Sequence, residues 1–445
     1  MLIRFVVSNF LSFNEESEFN MIAGSFKTHK HHVYKSGKVD VLKAAVFYGA
    51  NGSGKSNLMK AIRFVQETVR DGGITQSVDG KKFKLNKSNS KKPMSFEIEF
   101  SIGSKVYSYG ISLNHFEITE EWLYESGITV DDKLIFERKL IETGKTTIKM
   151  ADKYVKTQKE KTLIELLKEN LLQKEKLFLG LFNYLKIDEI TSVRTWFLTK
   201  LILIFPGTEF KGILPLLLDS ESLKQHFDQL LKSFDTGISQ LTSAEVDFDK
   251  YEIDPKDKMT RKEIETQMEI APFIINNETN SVIIKEKGKL IVKTAISYHK
   301  DNIGNNIPFM ISEESDGTKR LLDFIPALYN LLRQDFTYLI DEIDRSLHPS
   351  LLCALICKIM TDQDTKGQLI FTSHESNLLD LNIFRQDEIW FVEKDNKLGE
   401  SKMYSLSEFK PRYDLNVRKG YLTGRFGAIP FLANLQDLNW DNNGS

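Results

Sequence analysis

The run Gly49-Ala50-Asn51-Gly52-Ser53-Gly54-Lys55-Ser56 satisfies the pattern G-x-x-x-x-G-K-[ST]. Its chemistry is the holding of a polyphosphate. Gly49, Gly52 and Gly54 let backbone N–H groups turn inward around phosphate oxygens, and a helix starting at the lysine adds its positive end. Asn51 and Ser53 sit in the same loop. Lys55 is placed to reach the β- and γ-phosphates, where it acts as a catalytic cation, and the Ser56 hydroxyl, with Asn57 beside it, is placed to ligate Mg²⁺. The cofactors expected are therefore ATP and Mg²⁺.

A second set lies far along the chain. Tyr338-Leu339-Ile340-Asp341-Glu342 is an apolar strand ending in two adjacent carboxylates. One can enter a magnesium shell while the next polarises water, so Asp341 is assigned to the metal and Glu342 to general base. Ser315, in Glu314-Ser315-Asp316-Gly317-Thr318, suits a helix N-cap. The functional reading is that Ser315 and the N–H groups around Gly317 meet a γ-phosphate held by another subunit. His374 follows the strand-like Phe371-Thr372-Ser373. One residue past a strand beside the catalytic strand, it is placed to sense the γ-phosphate.

These residues need elements to position them. Ala44–Tyr48 reads as a strand entering the loop, and Lys55–Arg70 as a helix with Leu58, Ile62, Val65 and Val69 on one face. Ser95–Ile102, Lys105–Leu113 and Glu117–Tyr124 alternate as an antiparallel meander. From Tyr154 to Phe248 the spacing turns helical without a sustained heptad, which predicts a bundle or short coiled coil. In the last third, strands at Phe336–Ile340, Gln368–Thr372 and Glu388–Val392 alternate with helices at Thr318–Leu332 and Ser350–Met360, the signature of a parallel sheet.

The fold class expected is α/β, a mixed sheet with antiparallel meander and parallel core. It is divided as 1–153 (N-terminal half), 154–270 (helical insertion) and 271–445 (C-terminal half).

Bulk properties set limits. The 445 residues are 41% hydrophobic and 27% charged, a globular composition with net charge −2, so any nucleic-acid contact must come from a local patch. The longest apolar runs fall short of the roughly 20 residues of a membrane span, and no leader is apparent, which points to a cytoplasmic protein without membrane association. Cys353 and Cys357, four apart on a helix, read as small core residues. His29, His31 and His32 read as a solvated basic loop, with metal binding the alternative. The six lysines of Lys81–Lys92 read as a solvated hairpin, with contact to a nucleic-acid backbone the alternative.

The P-loop, Ser315-Asp316-Gly317, Asp341-Glu342 and His374 together resemble an ABC-type ATPase head. The 286 positions from Lys55 to Asp341 exceed the interval in transporter subunits and resemble the SMC and OLD branch. Within it, the chain is similar to stand-alone prokaryotic "AAA family ATPase" proteins of anti-phage and abortive-infection loci. Asn9-Phe10 with Ser12-Phe13 resembles their opening strand motif, Leu347-His348-Pro349 their D-loop, and Tyr421–Pro430 their closing motif. Asp316 departs from the transporters' Leu-Ser-Gly-Gly-Gln signature, and no Q-loop glutamine stands out beyond Gln66 and Gln76.

The resemblance implies a homodimer or higher homo-oligomer with composite ATP sites. It also implies a defence role with a separate effector protein, a nuclease or a toxin. With 71 residues after His374, no TOPRIM nuclease is expected. The rival readings are an SMC-like DNA-repair or chromosome-maintenance ATPase, and a non-catalytic ATP-dependent scaffold that sequesters a toxin.

Overall fold

The computed structural model describes residues 1–35, 39–127, 131–141, 144–206, 221–234, 236–248, 264–265, 273–276, 281–412 and 415–429. The chain forms two compact units. One comprises 1–203, 333–343 and 360–445, the other 204–332 and 344–359.

The first unit is built on two sheets. A seven-stranded antiparallel sheet runs in the order Thr146–Met150, Lys133–Leu140, Glu117–Glu125, Lys105–Asn114, Met94–Ile102, Leu2–Ser8, Ser17–Asn20. Met94–Ile102 alternates buried and half-exposed residues over most of its length, whereas Lys105–Asn114 beside it is buried on both faces. A six-stranded sheet has the order Leu201–Ile204, Thr337–Ile340, Gln368–Thr372, Ala44–Tyr48, Ile389–Lys394, Ser401–Ser405. Strands 337–340, 368–372, 44–48 and 389–394 are mutually parallel, and 401–405 closes that edge antiparallel. The parallel strands are mostly apolar and, apart from Glu393 and Lys394, buried because they are covered on both faces. Mixed α/β architecture, with an antiparallel meander and a parallel core, is thus the fold class read from the sequence.

The sheets are tied together by one polar side chain. Gln368 is fully buried; its Oε1 accepts from Leu2 N (2.8 Å) and Thr337 Oγ1 (3.2 Å), and its Nε2 donates to Leu2 O and Leu42 O (both 2.9 Å). A single amide thus satisfies backbone groups of the first strand of one sheet beside the core of the other.

The expected helical insertion is corrected. Gln158–Asn170 is a helix opened by a Thr157/Glu160 capping box, but Leu167 is its one buried residue. That stripe is too narrow to drive a bundle. The chain then lies along the meander, where buried Glu121 accepts the N–H groups of Phe178 (2.6 Å) and Leu179 (2.9 Å). Leu201–Ile204 becomes the edge strand of the parallel core.

In the second unit Glu221–Ser233 is helical, but Ile238–Asp247 is a strand. It joins an antiparallel sheet ordered Ile238–Asp247, Lys289–Lys300, Ser281–Glu286, Phe273–Asn276, with Asn306–Met310 also paired to 289–300. Of the expected insertion, 207–220, 235, 249–263 and 266–270 lie outside the described residues. Among the described residues no helix is long and apolar enough to cross a membrane.

Gln368→Leu removes four hydrogen bonds and strips buried backbone groups of their partner. It is expected to destabilise the chain by at least about 3 kcal/mol, at roughly 1–3 kcal/mol per unsatisfied group. Thermal melting checks this, and an unchanged midpoint would contradict the bridging role.

Candidate functional site

Parallel strands put their C-terminal ends on one edge of the sheet, where ligands of open α/β folds bind. Three of these ends carry the residues singled out above. After 44–48 comes the glycine-rich loop, after 337–340 come Asp341 and Glu342, and after 368–372 comes His374. The 368–372 strand lies between the other two.

The loop turns where only glycine is comfortable. Gly52 has φ 77° and Gly54 φ 116°, and a Cβ on Gly54 would sit 2.1 Å from Ser401 Oγ. The Lys55–Asp71 helix follows, burying Leu58, Met59, Ile62, Val65 and Val69. Lys55, 5% exposed, donates from Nζ to the loop's own carbonyls, Gly49 (2.7 Å) and Ala50 (3.2 Å).

Ser56 Oγ donates to Asp341 Oδ1 at 3.1 Å, closing an interval of 285 residues. Asp341 is 3% exposed, and the same Oδ1 accepts from Thr372 Oγ1 at 2.7 Å. Thr372 Oγ1 in turn accepts from Glu342 N at 2.7 Å, fixing Glu342 at a left-handed φ of 50°. Glu342 is half-buried and His374 exposed; both line one cleft with Asn51, Gly52, Ser53, Gly54, Lys55, Ser56, Asn57 and Lys60.

The donor set fits a hard cation. Two neighbouring ligands of an octahedral Mg²⁺ with bonds of about 2.0–2.1 Å lie about 2.9 Å apart. The separation of Ser56 Oγ and Asp341 Oδ1 is close to that.

The opening motif braces this loop. Asn9 Nδ2 donates to the carbonyls of Asn89, Lys92 and Pro93 and turns the chain so that Ser12 meets the P-loop helix. Ser12 Oγ accepts from Asn57 Nδ2 (2.8 Å) and lies 2.7 Å from Ser401 Oγ, whose single proton faces the Ser53 carbonyl. Asn57 is thereby held facing Ser12. Ser401 carried no signal in the sequence, being one small polar residue in an edge strand. The closing motif, whose Pro430 lies outside the described residues, folds against the 389–394 strand. Tyr421 and Phe426 each stack on Phe391 at 5.6 Å, and Tyr421, Ala428 and Ile429 line a second cleft with Gly49, Ala50, Asn51, Ser53 and His374.

Ser315 and Gly317 belong to the second unit. Ser315 Oγ accepts from Thr318 N (3.2 Å), the N-cap of the Asp316–Arg333 helix. Ser315 is exposed, and a Cβ on Gly317 would lie 2.8 Å from Ser346 O. Leu347-His348-Pro349 leads into the Pro349–Thr361 helix, whose Cys353 and Cys357 form no disulfide. Gln66 is not at the cleft: its Nε2 donates to the carbonyls of Phe197 (2.8 Å) and Leu201 (2.6 Å).

Two loop readings are corrected. Lys81–Lys92 is no hairpin but two 3-10 turns, with Lys82 buried on Ser90 O (2.8 Å), Asn114 Oδ1 (2.6 Å) and Asp79 (3.0 Å). His29, His31 and His32 are not a solvated loop. His32 is 3% exposed and faces buried Glu388, and burial pushes the imidazole down to about 4 and the carboxyl up.

A strand, phosphate loop and helix with acids on a nearby strand end define a P-loop nucleotide-binding protein. The family described as "AAA domain, putative AbiEii toxin, Type IV TA system" matches residues 44–380, and the chain belongs to it, an AAA-family ATPase. A search of curated proteins returns no match. Among solved structures, the SMC head bound to the C-terminal winged-helix domain of ScpA is 14% identical, with TM-score 0.43, covering 92% of this chain and 99% of that one. The SMC head domain from Thermotoga maritima is 11% identical, with TM-score 0.38, covering 91% and 98%. The Smc head with an extended coiled coil bound to the C-terminal domain of ScpA from Pyrococcus furiosus is 14% identical, with TM-score 0.39, covering 92% and 97%.

Thr372→Val keeps the shape but removes the hydroxyl that orients Asp341 and Glu342. It is expected to weaken Mg²⁺-dependent ATP binding by about 10- to 100-fold with the fold retained. Calorimetric titration checks this; wild-type affinity would contradict the positioning role.

Proposed function

We propose that the chain binds ATP with Mg²⁺ and hydrolyses it to ADP and phosphate, as the ATPase component of a prokaryotic anti-phage defence system acting with a separate effector. The observation that carries the hydrolytic reading is the linkage of Ser56, Asp341, Thr372 and Glu342 at the cleft that also holds Lys55 and His374. Backbone N–H groups of Gly49–Ser56 cradle the phosphates, and Ser53 Oγ, buried and without a partner among the described residues, is a spare donor for them. Lys55 leaves its carbonyls for the β- and γ-phosphates. Mg²⁺, held by Ser56 and Asp341, supplies charge neutralisation at the phosphate oxygens. Glu342 takes the proton of the attacking water, and His374 orients the γ-phosphate.

The site is composite in this reading. Exposed Ser315 and half-buried Gly317, at a helix start, complete the cleft of a second copy, so ATP closes a homodimer and hydrolysis reopens it. The defence role is supported by the resemblance of the opening, signature and closing motifs and by the family's description. The effector, a nuclease or toxin, lies on another chain, and the cycle runs in the cytoplasm. A second reading, a DNA-maintenance ATPase, is favoured by exposed Lys81, Lys84, Lys87, Lys91 and Lys92 on one segment. Its signature is salt-sensitive, ATP-dependent DNA binding.

Glu342→Gln should lower turnover by about 100-fold or more while retaining ATP. Size-exclusion chromatography with light scattering should then show a dimer mass only with ATP and Mg²⁺. A variant that neither retains nucleotide nor changes mass would overturn the proposal.

A further inference from the structure

Away from the nucleotide cleft, three imidazoles converge at one turn of the first unit. His29 stacks on His32 with ring centroids 4.8 Å apart, His31 meets His32 edge-on at 4.4 Å, and His29 and His31 are 6.1 Å apart. One nitrogen of each lies within 4.8 Å of the others.

What the remaining nitrogens do is informative. His29 Nε2 bonds the Leu381 carbonyl at 2.9 Å and His31 Nε2 the Met360 carbonyl at 2.7 Å. A carbonyl accepts only, so Nε2 carries the proton in both rings and Nδ1 carries the lone pair. His32 Nδ1 lies 3.0 Å from both carboxylate oxygens of Glu388, and its Nε2 lies 2.8 Å from the Met360 carbonyl. By the same rule His32 Nε2 donates to the Met360 carbonyl in the ion-free chain, so a cation at Nε2 takes the place of that proton while Nδ1 donates to the Glu388 carboxylate, the pairing that orients metal-bound imidazoles. Each ring thus has an orienting oxygen partner, and Met360 O is the one group that a cation at His32 Nε2 would displace.

We propose that His29, His31 and His32 form a site for a divalent transition-metal ion of the Zn²⁺ class. Imidazole ligands without thiolate or a hard oxygen cage favour Zn²⁺, Ni²⁺ or Cu²⁺ over Mg²⁺. Bonds of about 2.0–2.1 Å place tetrahedral nitrogens roughly 3.3 Å apart, so the rings must close inward from their present spread. Three protein ligands leave a fourth position for water. Solvent reaches it from the cavity of ≈ 700 Å³ that His29 lines with Asp380, Asn382 and Arg418. The ion would pin the 29–32 turn to the segments holding Met360, Leu381 and Glu388, which flank the strands 368–372 and 389–394 of the P-loop sheet.

The test uses the full chain, stripped with chelator and free of nucleotide, titrated with ZnCl₂ by calorimetry. About one ion per chain should bind and raise the melting temperature. The double variant His29→Asn/His31→Gln should bind at least about 100-fold more weakly, asparagine being tolerant of the φ of 46° at position 29. Cys353→Ser/Cys357→Ser should bind as the wild type does. Equal binding by the histidine variant, loss on the cysteine variant, or no binding by the folded wild type would overturn the site. Should the histidine variant fail to fold, Co²⁺ bound to the wild type decides. Ligand-field bands without thiolate charge transfer support the site, and a thiolate band or no bands contradict it.

Discussion

One carboxylate oxygen organises the nucleotide cleft. Asp341 Oδ1 accepts from Ser56 and from Thr372, three segments that are remote in the chain and joined through the ends of three parallel strands. Burying a carboxylate costs several kcal/mol unless it is paired. Hydrogen bonds to a charged group return about 1.5–3 kcal/mol each, so the two hydroxyls offset much of that cost. A cation at the same oxygens offsets it further, so the position favours occupation. The sheet order makes the arrangement possible, because the 368–372 strand brings Thr372 between the loop and the acids.

The surrounding structure serves that cleft from both directions along the chain. Ser12 from the opening motif and Ser401 from the last strand meet over Gly54, where a side chain on the glycine would collide with Ser401. Gln368 ties the first strand to the core sheet from below. Residues hundreds of positions apart therefore hold one loop rigid, which electrostatic stabilisation of a phosphoryl group demands. The His29–His32 cluster lies on segments flanking the same strands.

Much of this was legible in the sequence for a physical reason. The strand, glycine loop and helix form a local unit, and an apolar strand ending in two acids is local too. What escaped was non-local. Ser401 and Thr372 act only through contacts that pairing of distant strands creates. Gln66 looked available for the site but caps the carbonyls at 197 and 201. Leu201–Ile204 and Ile238–Asp247 sit in a stretch with helix-like spacing, and partner strands decided their state. The histidines looked solvated because they neighbour lysines, whereas burial against Glu388 depends on a segment some 350 residues away.

The central claim is that each ATP is cut at a site completed by Ser315 of a second copy. Mixing two individually inactive chains tests it most directly. Lys55→Ala removes the phosphate grip and Ser315→Arg blocks the completing contact, so the mixed dimer retains one whole site. Steady-state phosphate release from the mixture should rise clearly above the sum of the two separate variants. A mixture no more active than that sum, or a Ser315→Arg chain as active as wild type, would contradict the account.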